Sequence, residues 1–119
     1  MSREIIVLCP RRPAIGALLE RAGIRVGVRG DDGLEALSHA NATQIFDAAD
    51  RMLLVIRDPV LVEVPGETER LLGIDVPPPV WWVEIRATTG VAEGERFAAR
   101  CAEEMVALNG GIIWNGTEQ

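Results

Sequence analysis

The chain contains no lysine and no tyrosine, so all twelve of its basic residues are arginines. Eighteen acidic residues outnumber them and give a formal net charge of −6. Docking on a phosphate backbone normally requires a basic surface, so this charge argues against nucleic acid as a partner. An acidic protein can instead bind a basic protein, and the long-range attraction would raise the association rate.

Cysteine and histidine are scarce. The two cysteines, Cys9 and Cys101, form no CxxC pair and no metal-ligand cluster. Cytosolic thiols usually stay reduced, so we interpret both as free. The single histidine, His39, excludes a two-histidine zinc site within one chain. Acidic pairs such as Asp31 and Asp32 lack the spacing of an EF-hand. We therefore predict no metal and no cofactor.

Long apolar runs are missing as well. The run at residues 52–56 is among the longest, and it is far too short to span a bilayer. The N-terminus lacks the long apolar region and cleavage site of a signal peptide. We expect a cytoplasmic protein that does not enter a membrane. With 119 residues, of which 48% are hydrophobic and 25% charged, the chain can bury one core, so residues 1–119 are predicted to form a single domain.

The first part of the chain predicts a strand, a helix and a second strand. Residues 4–9 (EIIVLC) form an apolar run typical of a strand buried on both faces, and Pro10 ends it. Residues 15–22 carry apolar side chains at helical spacing and are followed by Gly23. Residues 24–28 alternate apolar and other side chains, which predicts a strand with one polar face.

Residues 34–50 leave two interpretations open. Residues 34–41 fit either a short strand or a helical turn. For residues 43–57, a hairpin with a polar turn competes with a helix over residues 42–52. We favour the hairpin, because β-branched and aromatic residues flank a turn bounded by aspartates.

The remaining sequence predicts an edge strand, a short helix, a proline-rich connector, a strand, a long amphipathic helix and a last short strand. In that order, these six elements are predicted at residues 60–64, 67–72, 75–79, 80–86, 91–108 and 112–114. The fold class predicted from the whole pattern is α+β. We expect a two-layer sandwich in which two main helices cover a ferredoxin-like, mixed or antiparallel sheet of five or six strands.

A candidate ligand site follows the first strand. Cys9 precedes Arg11, Arg12 and a predicted helix N-terminus, which together would stabilise a thiolate or hold an anion. The segment lacks the glycine spacing of a P-loop, and Ile15 stands where a phosphatase loop would need arginine. The competing interpretation is a buried strand cysteine beside ordinary surface arginines. We predict ligand binding by these three residues and assign no catalytic residue.

The tryptophans are the candidate partner-binding residues. Trp81 and Trp82 are neighbours in a predicted strand, so their rings point to opposite faces of the sheet. Trp114 lies on the last predicted strand. Tryptophan is enriched in binding hot spots because it buries a large area while keeping one donor. The alternative is that one ring packs under the long helix and the others cover a sheet edge.

Four segments carry a resemblance: FDAADRMLLVI, ETERLLG, WWVEIRA and a long alanine-rich helix ending in NGGIIW. Across residues 43–114 the chain resembles small actinobacterial α+β proteins and is similar in style to immunity proteins of polymorphic-toxin systems. That resemblance implies sequestration of a toxin, with Glu63, Glu67 and Glu69 facing a basic partner.

We therefore predict a non-enzymatic interaction domain that binds a basic protein partner or forms a homodimer. The alternative is a small enzyme or anionic-ligand-binding domain with its site near Cys9, Arg11 and Arg12. The absence of a convincing nucleophile–base pair favours the first.

Overall fold

The computed structural model describes residues 3–115, which form an α+β domain with one seven-stranded antiparallel sheet and three helices. The α+β class is confirmed, and the expected number of five or six strands is wrong. The elements are β1 (Arg3–Cys9), α1 (Ile15–Arg21), β2 (Glu35–His39), β3 (Ala42–Phe46), β4 (Met52–Arg57), β5 (Val60–Val62), α2 (Glu67–Leu72), β6 (Val80–Ala87), α3 (Ala92–Asn109) and β7 (Ile112–Asn115).

The strand order is β2-β3-β4-β6-β1-β7, and β5 also pairs with β6, on the side of β4. The longest ladder joins β1 to β6, with Ile6 opposite Glu84 at its centre. β7 pairs with the other edge of β1. The first strand of the chain therefore lies inside the sheet, which agrees with its uninterrupted apolar sequence.

Helices α1 and α3 pack together on one face of the sheet. Every second residue of β1, namely Ile5, Val7 and Cys9, points toward them. An ion pair of 3.2 Å between Arg21 and Glu104 joins the two helices at the surface. The helix side chains buried against this face are Leu18, Leu19, Ala98, Cys101, Ala102 and Met105.

Helix α2 and the proline-rich connector cover part of the opposite face. There Ile6, Leu8 and Val80 form a second buried cluster. Half-buried side chains that pack against it are Val62, Leu72, Val76, Trp82 and Trp114. Because α2 has only six residues, its cover stops short of the β2–β3–β4 half of the sheet.

The uncertain region of the sequence is now resolved. The hairpin is confirmed as β3 and β4, so the competing helix over residues 42–52 is wrong, and residues 35–39 form strand β2. The strand predicted at residues 24–28 is wrong. Gly27 takes a φ of +85° in a tight turn, in which the Val28 N–H donates to the Arg25 carbonyl at 3.2 Å. Residues 24–28 therefore alternate in sequence as a strand does, but the chain turns at Gly27.

Gly94 supplies a test of the packing between α3 and β4. A Cβ at Gly94 would overlap the carbonyl oxygen of Leu53, whereas a Cβ at Gly16 in α1 would meet open space. We expect Gly94→Ala to lower the free energy of unfolding by about 1–3 kcal/mol, because the helix must move off the strand. Gly16→Ala, the matched control, should raise it by about 0.5–1 kcal/mol through helix propensity.

Urea denaturation followed by circular dichroism measures both changes. Equal effects of the two substitutions would show that α3 does not approach β4 this closely.

Candidate functional site

The three predicted ligand residues differ in their surroundings. Cys9 is fully buried, and desolvation raises the pKa of its thiol to about 11, so the expected stabilised thiolate is wrong. Arg11 is exposed. Arg12 lies over the ring of Trp81, with its guanidinium carbon 5.3 Å from the ring centroid. Ligand binding by Cys9, Arg11 and Arg12 stays a prediction.

The thiols give a direct solution test. Burial raises the pKa of Cys101 to about 12, in the same direction as for Cys9. At pH 8 a thiol with a pKa near 11 is only about 0.1% thiolate, and the thiolate is the reactive form. We expect Ellman's reagent to leave both cysteines unmodified in the native protein at pH 8 and to titrate both after unfolding.

The variant Cys9→Ala assigns any reaction that does occur. Rapid modification of one native thiol that disappears in this variant would restore Cys9 as a reactive group.

The three tryptophans lie on two faces of the sheet, and all are half-buried. Trp81 shares a row with Cys9 and packs on the α1–α3 side, whereas Trp82 lies on the α2 side, so the expected opposition of the two neighbouring rings is confirmed. Trp114 lies on the same side as Trp82, and β1 separates them. Partner binding by these rings stays a prediction.

An open groove of about 540 Å³ lies at the margin of α2, and we call it the α2 groove. Trp82 and Glu84, alternate residues of β6, point to the face of the sheet on which it opens. Glu67 and Leu71 line it from α2, one helical turn apart. The other lining residues are Asn41, Arg57, Asp58, Pro59, Val60 and Val62.

A buried threonine holds the helical wall of the α2 groove in place. Thr68 is 1% exposed, and its hydroxyl oxygen accepts a hydrogen bond of 3.0 Å from the Val76 N–H. The same hydroxyl donates to the Val76 carbonyl at 3.4 Å. Thr68 and Leu72 therefore face the sheet and the connector, which leaves Glu67 and Leu71 on the groove side of the helix.

A carboxyl pair lies at one end of the α2 groove. Hydrogen bonding with Glu84 raises the pKa of Glu4, and burial adds to the rise. The same hydrogen bond lowers the pKa of Glu84, helped by Arg86 at 2.7 Å and by the charge of Arg57. Of the two carboxyls, Glu84 is therefore the stronger acid, and Glu4 takes up a proton first as the pH falls.

This pair makes a prediction about stability and pH. The pKa of Glu4 is raised above 4.5, so its contribution to stability is lost as the pH rises through that raised value. The pKa of Glu84 is lowered, so its contribution is present at neutral pH and lost in acid. We expect Glu84→Gln to destabilise the fold at pH 7 by about 0.5–1 kcal/mol, and Glu4→Gln to be neutral or slightly stabilising.

Chemical denaturation of both variants at pH 5 and pH 7 measures the difference. An equal loss for the two variants at pH 7 would show that the pKa values of the two carboxyls are not shifted in opposite directions.

A second groove of about 430 Å³ opens on the α1 side of the sheet. Arg12 lines it, together with Pro13 and Ile15 at the start of α1. Of the three predicted ligand residues, Arg12 alone lines this groove. Asp58 and Pro59 line both this groove and the α2 groove.

Sequence reasoning missed Arg57, Asp58 and Glu84 as groove residues. Alternation along β6 was a usable signal, because it places Glu84 on the same face as Trp82. No sequence pattern places Arg57 beside them, since that contact depends on the pairing of β4 with β6.

No helix among residues 3–115 combines the length and apolar character needed to cross a bilayer. The same residues hold no group of three or more histidine, cysteine or carboxylate side chains suited to a metal ion. Comparison with protein-family models, curated proteins and solved structures finds no match to the chain. The interpretation of the α2 groove therefore depends on its own geometry and charge.

Proposed function

We propose that this chain is a non-enzymatic interaction domain that recognises a basic protein partner through the α2 groove. The supporting observation is a groove of about 540 Å³ that joins an aromatic ring, Trp82, to the carboxylates of Asp58, Glu67 and Glu84. A ring beside carboxylates suits an arginine or lysine side chain, whose stem packs on the indole while its charge meets an acid.

The charge around the groove has the sign that this partner requires. Residues 57–75, which include β5 and α2, carry five carboxylates and two guanidinium groups, those of Arg57 and Arg70. Arg70 pairs with Glu67 at 2.5 Å, whereas Asp58 has no ion pair among the described residues. A net charge of −6 adds long-range attraction for a basic protein.

The apolar surface next to the groove supports binding to a protein. Val60 and Leu71, both groove residues, are 58% and 51% exposed. Apolar side chains ringed by charges are typical of interaction surfaces. The resemblance to immunity proteins implies that such a partner would be a toxin, whose active surface the domain would cover.

We also infer that the core of the domain is ferredoxin-like. Without β2, β3 and β5, the strands follow the order β4-β6-β1-β7, with α1 after β1 and α3 after β6. This matches the β-α-β-β-α-β arrangement of ferredoxin-like domains. The β2–β3 hairpin and the segment carrying β5 and α2 would then be insertions, and the second of these forms the α2 groove.

A charge-matched pair of variants tests the proposed function. Proteins of the native host retained on the immobilised chain are identified by mass spectrometry, and the purified partner is then titrated by calorimetry. We expect a basic partner, and we expect Asp58→Asn with Glu67→Gln to weaken binding at least tenfold.

The control is Glu93→Gln with Glu103→Gln, two exposed sites on α3 that change the net charge equally. It should weaken binding no more than about threefold, because only the long-range attraction falls. Equal losses for the two variants, or an acidic partner, would contradict recognition at the α2 groove. A homodimer without a second protein would show that self-association is the function.

A further inference from the structure

Strand β5 has a free edge where the sheet narrows beyond the end of β3. Its residues Val60–Val62 pair with β6 on one side only. The strand that would lie on its other side is β3, but the pairing of β3 with β4 ends where Ala42 faces Arg57. A hydrogen bond of 2.8 Å from the Asp58 N–H to the Asn41 carbonyl follows, and beyond it no described strand lies next to β5.

A one-residue irregularity lies beside this gap along the free edge of β5, which we call the notch. Ile56 pairs with Ile85 and Val60 pairs with Trp82, so four steps along β4 and β5 face three steps along β6. The extra residue lies at the Asp58-Pro59 step, where a bulge with proline is allowed because its backbone donor is not needed.

Two grooves flank the same notch, one on each face of the sheet. The α2 groove of about 540 Å³ and the second groove of about 430 Å³ share Asp58 and Pro59. Side chains of an extended segment point alternately to the two faces of a sheet. A strand placed along β5 would therefore send alternate side chains into the two grooves, and its backbone would pair with the exposed edge.

The two grooves differ in chemistry. The α2 groove offers Trp82 and three carboxylates to one set of side chains. The second groove offers apolar contacts from Pro13, Ile15 and Val26 to the other set, beside polar groups that include the guanidinium of Arg12. The complementary ligand alternates basic and apolar side chains.

We propose that the partner's recognition element is an extended segment of about five residues, alternating basic and apolar, that adds to the free edge of β5 as a strand. This inference deepens the proposed function and rests on it, because the basic side chains enter the α2 groove. Val60 and Leu61, which are 58% and 39% exposed, become covered on opposite faces. Backbone hydrogen bonds supply affinity, and the grooves supply specificity.

A blocked hexapeptide of alternating arginine and valine is the probe. Titration is followed by tryptophan fluorescence and by amide hydrogen exchange read residue by residue with NMR. We expect the outward-facing amides within residues 60–62 to exchange at least tenfold more slowly at saturation. The amides of the other sheet edges, on β2 and β7, serve as internal controls and should not change.

Three peptides separate the possible modes. A copy N-methylated at its four central residues loses edge pairing and should bind at least tenfold more weakly. A copy of alternating arginine and glycine keeps the charge but has low strand propensity, so it should also bind more weakly than the parent peptide. A glutamate–valine copy should not bind, because the carboxylates of the α2 groove would repel it.

Each result decides a different question. Equal affinity of the methylated and parent peptides, with no protection at β5, would overturn edge pairing and leave groove recognition standing. No binding of the parent peptide, or protection at β2 or β7 instead, would also overturn it. Protection at β5 without peptide that increases with protein concentration would show that a second copy occupies the edge.

Discussion

Burial of β1 on both faces is the constraint on which the other features depend. Ile5 and Val7 face α1 and α3, whereas Ile6 and Leu8 face the α2 side, and all four are at most 2% exposed. Burying each such side chain stabilises the fold by about 1.5–3 kcal/mol, so both faces of β1 must be covered. Helices α1 and α3 cover the first face. The second face is left to a six-residue helix and a proline-rich connector.

The limited size of that second cover explains where the groove lies. Thr68 and Leu72 press α2 onto β1 and β6, and the helix ends before it reaches the β2–β3–β4 half of the sheet. The groove opens at that margin, where Trp82 belongs both to the second cluster and to the groove lining. The same residue thus anchors the fold and presents a binding surface, so substitutions there affect stability and recognition together.

Local patterns predicted the elements whose partners are close in the chain or whose burial is extreme. Alternation was sufficient for Trp81 and Trp82, and the aspartate-bounded turn was sufficient for the β3–β4 hairpin. Alternation misled at residues 24–28, because Gly27 turns a chain that has the composition of a strand. The expectation of a stabilised Cys9 thiolate failed for a related reason. Desolvation by the side chains that pack around the thiol raises its pKa, and Arg11 and Arg12, though adjacent in sequence, are exposed.

The amino-acid sequence alone determined an acidic chain of the α+β class with a first strand buried on both faces, because composition and apolar periodicity act within each segment. The tertiary structure decided the strand order, the notch beside β5 and the meeting of Arg57, Glu67 and Glu84 around Trp82. The three groove residues span 27 positions, from Arg57 to Glu84, and the strand order pairs Ile5 with Asn115, 110 positions away. Their proximity follows from which strands pair and with what register, and no local periodicity encodes that choice.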